Sequence, residues 1–367
     1  MTNNQILAAF FISVFFSFAI KVEAQTTDND SLKLNYNKIF AYCLDANVKP
    51  VFSLIEFDGT KKISAKDEKF ISEFKNRFMY PEDRSSYLMD KKSDIDNLLE
   101  VFHSYWRQSL LDTSKNYDTV LIANLKEFLN KNYPPARGFI IKEDSIDVYV
   151  KKYVESKGFH TTDGIGKTGR LYDLLVWRNE KDTTYSFRFD KETISARVIM
   201  MENFITPGWE EYATLGRAYP GGWTTKEALY CVEKAYDLNS EDFLVSYLAH
   251  ESRHFSDYKL FPKLKSADLE YRAKLTELSL AKKTLYKLIE VFIANANYES
   301  ESGHQVADYC VIRDLSKELF KTNFEKDIKK WEMIKTGIIN KAAYKILKAN
   351  TEAMQRIGPH IEKYIKN

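Results

Sequence analysis

Five consecutive residues, His250-Glu251-Ser252-Arg253-His254, constrain the fold of this chain more than any other feature. Residues four apart stand one above the other on the same face of an α-helix, so both histidines can direct a ring nitrogen at one metal ion. Glu251 projects beside that pair, where a carboxylate can take a proton from a metal-bound water molecule. The spacing therefore predicts a helix that carries a metal site.

The residues around this motif favour a buried helix over 241–258. Apolar side chains, among them Phe243 and Tyr247, flank the histidines at helical spacing. Burying polar groups in such a helix costs several kcal/mol unless something satisfies them, and a metal ion does so. The Ser240 hydroxyl can cap the helix, and Glu241 favours the positive end of its dipole. These features together predict a zinc-binding helix.

The motif resembles the active-site helix of the zincin metallopeptidases, over roughly Ser240 to Lys274. The resemblance implies one zinc ion, a third protein ligand, and hydrolysis of peptide bonds with Glu251 as general base. The metzincin branch requires glycine three residues and histidine or aspartate six residues after the second histidine. This chain has Asp257 and Leu260 there, which excludes that branch. The branch with a glutamate ligand on the following helix, the gluzincins, fits better.

The third ligand is predicted from the geometry of two successive helices. Pro262 breaks the motif helix, and Glu270 lies as many residues after this break as His254 lies before it. If the helices run antiparallel, Glu270 comes level with His254, whereas Glu277 comes level with a point nearly one turn beyond His250. Glu270 is therefore the predicted ligand, and Glu277 remains the alternative. Three ligands and one open position are typical of catalytic zinc.

Two further residues are candidates for the site. His304 stands at the start of the helix predicted over 304–320. The resemblance implies a side chain opposite the zinc that stabilises the oxyanion, and His304 or Tyr298 could take this role. Asp257 is either a partner that orients a ligand imidazole or a polar residue at a helix end. The predicted catalytic residues are therefore Glu251 and His304.

The remaining patterns predict an α+β fold with a mostly helical N-terminal unit, 25–158, and a zincin-like region, 159–367. Helical spacing of apolar residues predicts helices over 67–79, 93–111, 117–133, 225–238, 241–258, 267–297, 304–320 and 326–357. Short runs of β-branched and aromatic residues predict strands over 49–57 and 137–142, and a small antiparallel sheet from 172–178, 184–189 and 194–204. Glycine-rich stretches predict loops over 160–169 and 206–223.

The first 24 residues are predicted to be a signal peptide. The apolar run Ile6–Ile20 is shorter than the roughly 20 residues of a membrane-spanning helix, and Val22-Glu23-Ala24 offers small residues for cleavage before Gln25. The n-region has no Lys or Arg, so an uncleaved anchor is the alternative. We expect a secreted or periplasmic protein with no stable membrane span after cleavage. The three widely spaced cysteines of the chain are predicted to be free and buried.

Charge and motif together leave two main functional classes. Lys+Arg of 54 against Asp+Glu of 52 gives a net charge of +2, too balanced for a nucleic-acid binder. The first class is an exported zinc metallopeptidase acting on a peptide or protein, with 194–204 as a candidate edge strand for the substrate. The alternative is a zincin-like protein of the cell envelope that binds a partner without cutting it, and the intact Glu251 favours the enzyme.

Overall fold

The computed structural model describes residues 34–56, 63–85, 95–136, 141–162, 164–189, 192–225 and 227–366. The predicted signal peptide lies outside these described residues, as do four residues of the predicted strand 137–142. The described part of the chain is α+β, as predicted, with helices predominant. Within it, no helix has the combination of length and apolar character that crossing a membrane requires.

The chain forms two compact units. The first comprises the described residues up to Glu180 together with Met201–Pro220, and the second comprises Lys181–Met200 together with Gly221 onward. The long strands described below enter both units. The predicted domain boundary after residue 158 stays a prediction, because spatial compactness does not test which segments fold on their own.

Helices form most of the first unit. Its described helices are α1 (Tyr36–Leu44), α2 (Lys49–Ile55), α3 (Ala65–Phe78), α4 (Asp96–Leu111), α5 (Asp118–Asn132), α6 (Ile146–Ser156) and α7 (Trp209–Ala213), with 3-10 turns at Pro134–Ala136 and Glu143–Ser145. Their shared core combines aliphatic side chains with large aromatic ones, among them Phe70, Phe74, Phe102 and Trp106. The three helices predicted in this unit are confirmed as α3, α4 and α5.

The predicted strand over 49–57 is wrong, because these residues form α2. Pro50 stands in the first turn of the helix, where its missing N–H leaves no bond unmade. Val51 and Ile55, four residues apart, are both fully buried, which is helical spacing. An apolar run this short fits the periodicity of a helix as well as that of a strand, so the prediction of a strand from its short length was wrong.

The described strands form one sheet of five strands and one of two. They are β1 (His160–Thr161), β2 (Gly166–Thr168), β3 (Leu171–Asp173), β4 (Val176–Phe189), β5 (Glu192–Thr206), β6 (Gly222–Thr224) and β7 (Leu229–Val232). The larger sheet has the order β1-β4-β5-β7-β6, and β2 pairs with β3. β1 is antiparallel to β4, with His160 opposite Trp177, and β6 is antiparallel to β7, with Trp223 opposite Tyr230.

The sheet corrects four details of the prediction. β4 runs without a break through the charged residues predicted to be a turn after 178, and the predicted helix 225–238 instead contains β7 and a 3-10 turn. The predicted loops 160–169 and 206–223 contain β1, β2, α7 and β6. β5 lies between β4 and β7, so 194–204 is an internal strand and does not offer a free edge.

The second unit contains the motif helix and its neighbours. A π-helical segment, Asp242–Ala249, leads directly into α8 (His250–Leu260). The later helices are α9 (Ser266–Leu280), α10 (Leu285–Asn295), α11 (Gly303–Phe320), α12 (Ile328–Glu332) and α13 (Thr336–Ile357), with a buried core that includes Leu275, Ile289, Val311 and Leu347. The helices predicted over 267–297 and 326–357 are each divided in two.

The ends of these helices follow from their capping groups. The Ser240 hydroxyl accepts a hydrogen bond from the Phe243 amide at 3.1 Å, which confirms the predicted cap. Glu241 does not serve its own helix, because its carboxylate accepts the backbone amides of Lys282, Lys283 and Thr284 at 2.8–3.1 Å. These bonds fix the start of α10 and therefore the break after α9.

The three cysteines, Cys43, Cys231 and Cys310, are all free and buried, as predicted. Burial raises the pKa of the Cys231 thiol to about 12 and that of Cys310 to about 11. Thiols protonated in this way are poor metal ligands and poor nucleophiles. They therefore act as small apolar residues of the core.

Candidate metal centre

The two histidines of the motif converge inside the second unit. α8 begins at His250, and the next helical turn brings His254 onto the same face, with both side chains buried. Their Nε2 atoms lie 3.0 Å apart. A π-helical segment, Asp242–Ala249, immediately precedes His250, and π-helical turns are frequent at functional sites.

Glu270 completes a triangle with these two nitrogens. Its Oε2 lies 3.4 Å from the Nε2 of His250, and its Oε1 lies 3.3 Å from the Nε2 of His254. Zinc holds nitrogen and oxygen ligands at about 2.0–2.2 Å, which spaces the corners of a tetrahedron roughly 3.3–3.6 Å apart. The two distances from the Glu270 oxygens lie in this range, and the distance between the two nitrogens is slightly shorter. The three side chains therefore bring donor atoms close to the spacing that one metal ion requires.

Glu277 contacts the opposite nitrogen of His250. Its Oε1 lies 2.6 Å from the Nδ1 of His250, and both side chains are fully buried. A carboxylate at Nδ1 fixes the orientation of the ring. The structure thus places Glu270 beside the two Nε2 atoms and Glu277 behind the ring of His250, which it orients.

The charges around His250 favour a cation at this site. Burial alone lowers the pKa of His250, but the carboxylates of Glu277 and Glu270 outweigh that effect and raise it to about 10. Burial likewise raises the pKa of Glu270, yet the imidazoles of His254 and His304 hold it well below its usual value. The pocket therefore stabilises positive charge, supplied either by protons or by a metal ion.

Glu251 lies beside the ligand triangle. Its side chain is only 1% exposed, and one donor atom from each of Glu251, His250 and His254 lies within 4.8 Å of the others. Its Oε2 accepts a hydrogen bond from the Thr224 hydroxyl, whereas its Oε1 has no hydrogen-bond partner among the described residues. A buried carboxylate oxygen in this state is available to a further polar partner.

Thr224 reaches Glu251 because β6 lies close to the motif helix. A Cβ atom at Gly222 would lie 2.6 Å from the Tyr247 ring and 2.3 Å from the backbone oxygen of Tyr230. Only glycine permits this approach, since no side-chain carbon tolerates such distances. The sequence prediction treated Gly222 as part of a loop and missed Thr224.

His304 lies at the open side of the site. Its Nδ1 is 3.0 Å from the Oε2 of Glu270, and its side chain is 39% exposed, against 6% for that of Glu270. Gly303 permits this contact, because a Cβ there would lie 2.9 Å from the backbone nitrogen of Ala267 at the start of α9. Tyr298, the alternative candidate, packs on Tyr309 with ring centroids 5.5 Å apart. The exposed His304 marks the side from which solvent reaches the pocket.

Asp257 has a different role from the predicted ones. Its two carboxylate oxygens accept hydrogen bonds from Nε and Nη2 of Arg272 at 2.7 and 2.9 Å, and both side chains are fully buried. The bidentate pair joins α8 to α9. Asp257 therefore positions the helix that carries Glu270, and the prediction that it orients an imidazole is wrong.

A buried ion pair next to the ligands was also missed. The Nζ of Lys274 lies 2.9 Å from the Oδ1 of Asp308. Glu270, Lys274 and Glu277 follow one another at four and three residues on α9, and His304 and Asp308 at four residues on α11, so each set shares a helix face. That spacing is the signal from which the pair could have been predicted.

No known protein family, no curated protein and no solved structure matches this chain.

Proposed function

We propose that this protein is an exported zinc metallopeptidase of the gluzincin type, with His250, His254 and Glu270 as zinc ligands. The observation that carries the proposal is the convergence of these three side chains: the two Nε2 atoms lie 3.0 Å apart, and the two carboxylate oxygens of Glu270 lie 3.3 Å from the Nε2 of His254 and 3.4 Å from that of His250. Two imidazoles and one carboxylate are a donor set that zinc favours in catalytic sites. Export rests on the predicted signal peptide.

The chemistry divides between the metal and the surrounding side chains. A bound zinc ion supplies a Lewis acid that activates water and polarises the scissile carbonyl. Glu251 accepts the proton of the attacking water through its unpartnered Oε1 and delivers it to the leaving amine. The Thr224 hydroxyl fixes the opposite carboxylate oxygen, so the base keeps one orientation throughout.

His304 acts on the oxyanion. Its Nδ1 lies 3.0 Å from the Oε2 of Glu270, which leaves its Nε2 for the substrate. Its side chain is 39% exposed, which supports contact with a peptide carbonyl from solvent. The substrate strand is proposed along β6, which ends the order of the sheet and carries Thr224, in place of the expected strand 194–204.

The substitution Glu251→Gln tests this proposal. Zinc content stays at about one ion per chain, because the ligands are untouched, while peptide hydrolysis falls by about 10²–10⁴-fold. Hydrolysis is measured on a mixed peptide library by mass spectrometry, and zinc by elemental analysis. Glu290→Gln, at an exposed position of α10, is the matched control and retains both properties.

Two results would contradict the proposal. Wild-type protein that takes up no zinc after removal and return of metal contradicts the site. Wild-type protein that holds zinc and cuts no peptide in the library favours the alternative, a zincin-like protein of the cell envelope that binds a partner.

A further inference from the structure

The two histidines of the candidate metal centre are held in different ways. The Nδ1 of His250 lies 2.6 Å from the Oε1 of Glu277, a contact that fixes the orientation of the ring. His254 presents its Nε2 to the site, 3.0 Å from that of His250 and 3.3 Å from the Oε1 of Glu270. Its other nitrogen, Nδ1, is buried and has no hydrogen-bond partner among the described residues. Within that part of the chain, no polar group therefore holds His254 as Glu277 holds His250.

Tyr258 lies beside the His254 ring. It follows His254 by four residues on α8, so the two side chains share a helix face, and helical side chains lean back over the preceding turn. The ring centroids of Tyr258 and His254 lie 6.4 Å apart, with 26° between the ring planes. Aromatic rings attract one another at centroid distances of about 4.5–7 Å. The contact that His254 makes behind the site is therefore a stacked ring.

The Tyr258 ring is itself supported by the core. It is partly buried and packs against a cluster of five buried apolar side chains, those of Phe261, Leu264, Leu269, Met354 and Ile361. Leu269 belongs to α9 and Met354 to α13, so the cluster joins the end of α8 to two neighbouring helices. Packing of this kind restricts the rotamers of a side chain, which makes it a firm support for a residue that contacts a ligand.

We propose that Tyr258 is the positioning residue of His254 and holds its imidazole by ring stacking, in the role that the Glu277 carboxylate has for His250. The inference rests on the zinc site of the proposed function and adds a residue to it. A ring that is already oriented loses less conformational freedom when it binds a metal ion. The aromatic face of Tyr258 is therefore required for tight binding, whereas its hydroxyl is dispensable.

The experiment measures zinc affinity by competition with a chromophoric chelator, beside urea unfolding of each metal-free protein. Tyr258→Phe keeps the ring, so its affinity is expected within about twofold of wild type. Tyr258→Leu keeps an apolar side chain without a ring, and we expect it to bind zinc about 3–10-fold more weakly, which corresponds to the loss of one aromatic pair.

Phe324→Leu is the matched control. Phe324 is partly buried in the same unit and stacks on Tyr309, with ring centroids 5.4 Å apart and 18° between the planes, but this pair contains no proposed ligand. Its loss should lower the stability of the metal-free protein and leave zinc affinity unchanged. The comparison separates the positioning of a ligand from general destabilisation.

Several results would overturn the proposal. A loss below about threefold in Tyr258→Leu shows that the ring positions nothing, and an equal loss in Tyr258→Phe assigns the effect to the hydroxyl. An equal loss in Phe324→Leu assigns it to destabilisation. If Tyr258→Leu does not fold, Tyr258→Met replaces it with the same expectation, and failure of both to fold also overturns the proposal. A wild type that takes up no zinc instead contradicts the proposed function itself.

Discussion

Glu277→Gln is the substitution that best separates the proposed zinc ligands from the residues proposed to orient them. Glu277 contacts the Nδ1 of His250 at 2.6 Å, with both side chains fully buried. Carboxylates that hold a ligand imidazole in this way are typically worth 10–100-fold in metal affinity. At about 1.4 kcal/mol per tenfold, that range corresponds to about 1.4–2.8 kcal/mol.

The size of the effect depends on what replaces the carboxylate. Glutamine keeps an oxygen that accepts the Nδ1–H but loses the charge, and charge-assisted hydrogen bonds are about twice as strong as neutral ones. We therefore expect about a tenfold loss of zinc affinity for Glu277→Gln and about 100-fold for Glu277→Ala. Glu270→Gln, which removes a charged ligand, loses more than either.

The assay is competition for zinc against a chromophoric chelator of known affinity, at fixed pH and ionic strength. Glu290→Gln is the control, since its side chain is exposed on α10. Unchanged affinity in Glu277→Ala refutes the reasoning, because the contact at Nδ1 would then contribute nothing. A loss as large as that of Glu270→Gln also refutes it, because Glu277 would then be a ligand.

Two further predictions concern other parts of the chain. Gly303→Ala places a Cβ 2.9 Å from the backbone nitrogen of Ala267 and so moves His304 away from Glu270. We expect the free energy of unfolding in urea to fall by about 1–3 kcal/mol and hydrolysis to slow, while zinc is retained. An unchanged urea midpoint and unchanged hydrolysis would contradict that account. Burial and the nearby charge of Asp173 raise the pKa of Glu210 from 4.5 to about 8, so the folded state keeps this carboxyl protonated where the unfolded state ionises it. The stability that this protonated carboxyl contributes is fully present below pH 4.5 and is lost as the pH rises towards 8. Between pH 4 and pH 7, the free energy of unfolding of Glu210→Gln, measured in urea, should therefore rise by about 3 kcal/mol relative to that of wild type. A difference independent of pH would contradict this.

Local spacing predicted well which side chains meet, because it depends on helix geometry alone. The four-residue separation of His250 and His254 fixes their common face, and symmetry about Pro262 placed Glu270 level with His254, where the structure has it. The same reasoning placed Glu277 beyond the ligands, and the structure shows it behind His250. Helical periodicity identifies such contacts because both partners lie on adjoining helices of known rise.

Contacts between segments distant in the sequence were not predictable in this way. Thr224 meets Glu251 only because β6 approaches the motif helix, and that approach depends on Gly222. The break between α9 and α10 depends on Glu241, which lies far away in the sequence. The paired β6 and β7 were predicted as loop and helix, since short strands take their stability from partners that the local pattern does not reveal.

The central claim is that His250, His254 and Glu270 hold one zinc ion. A crystal structure of the zinc-loaded protein, with diffraction data collected on both sides of the zinc absorption edge, tests it most directly. The account predicts one anomalous peak, about 2.0–2.1 Å from the Nε2 atoms of both histidines and about 2.0–2.2 Å from an oxygen of Glu270. No peak within this triangle, or a peak bound by Glu277 in place of Glu270, would contradict it.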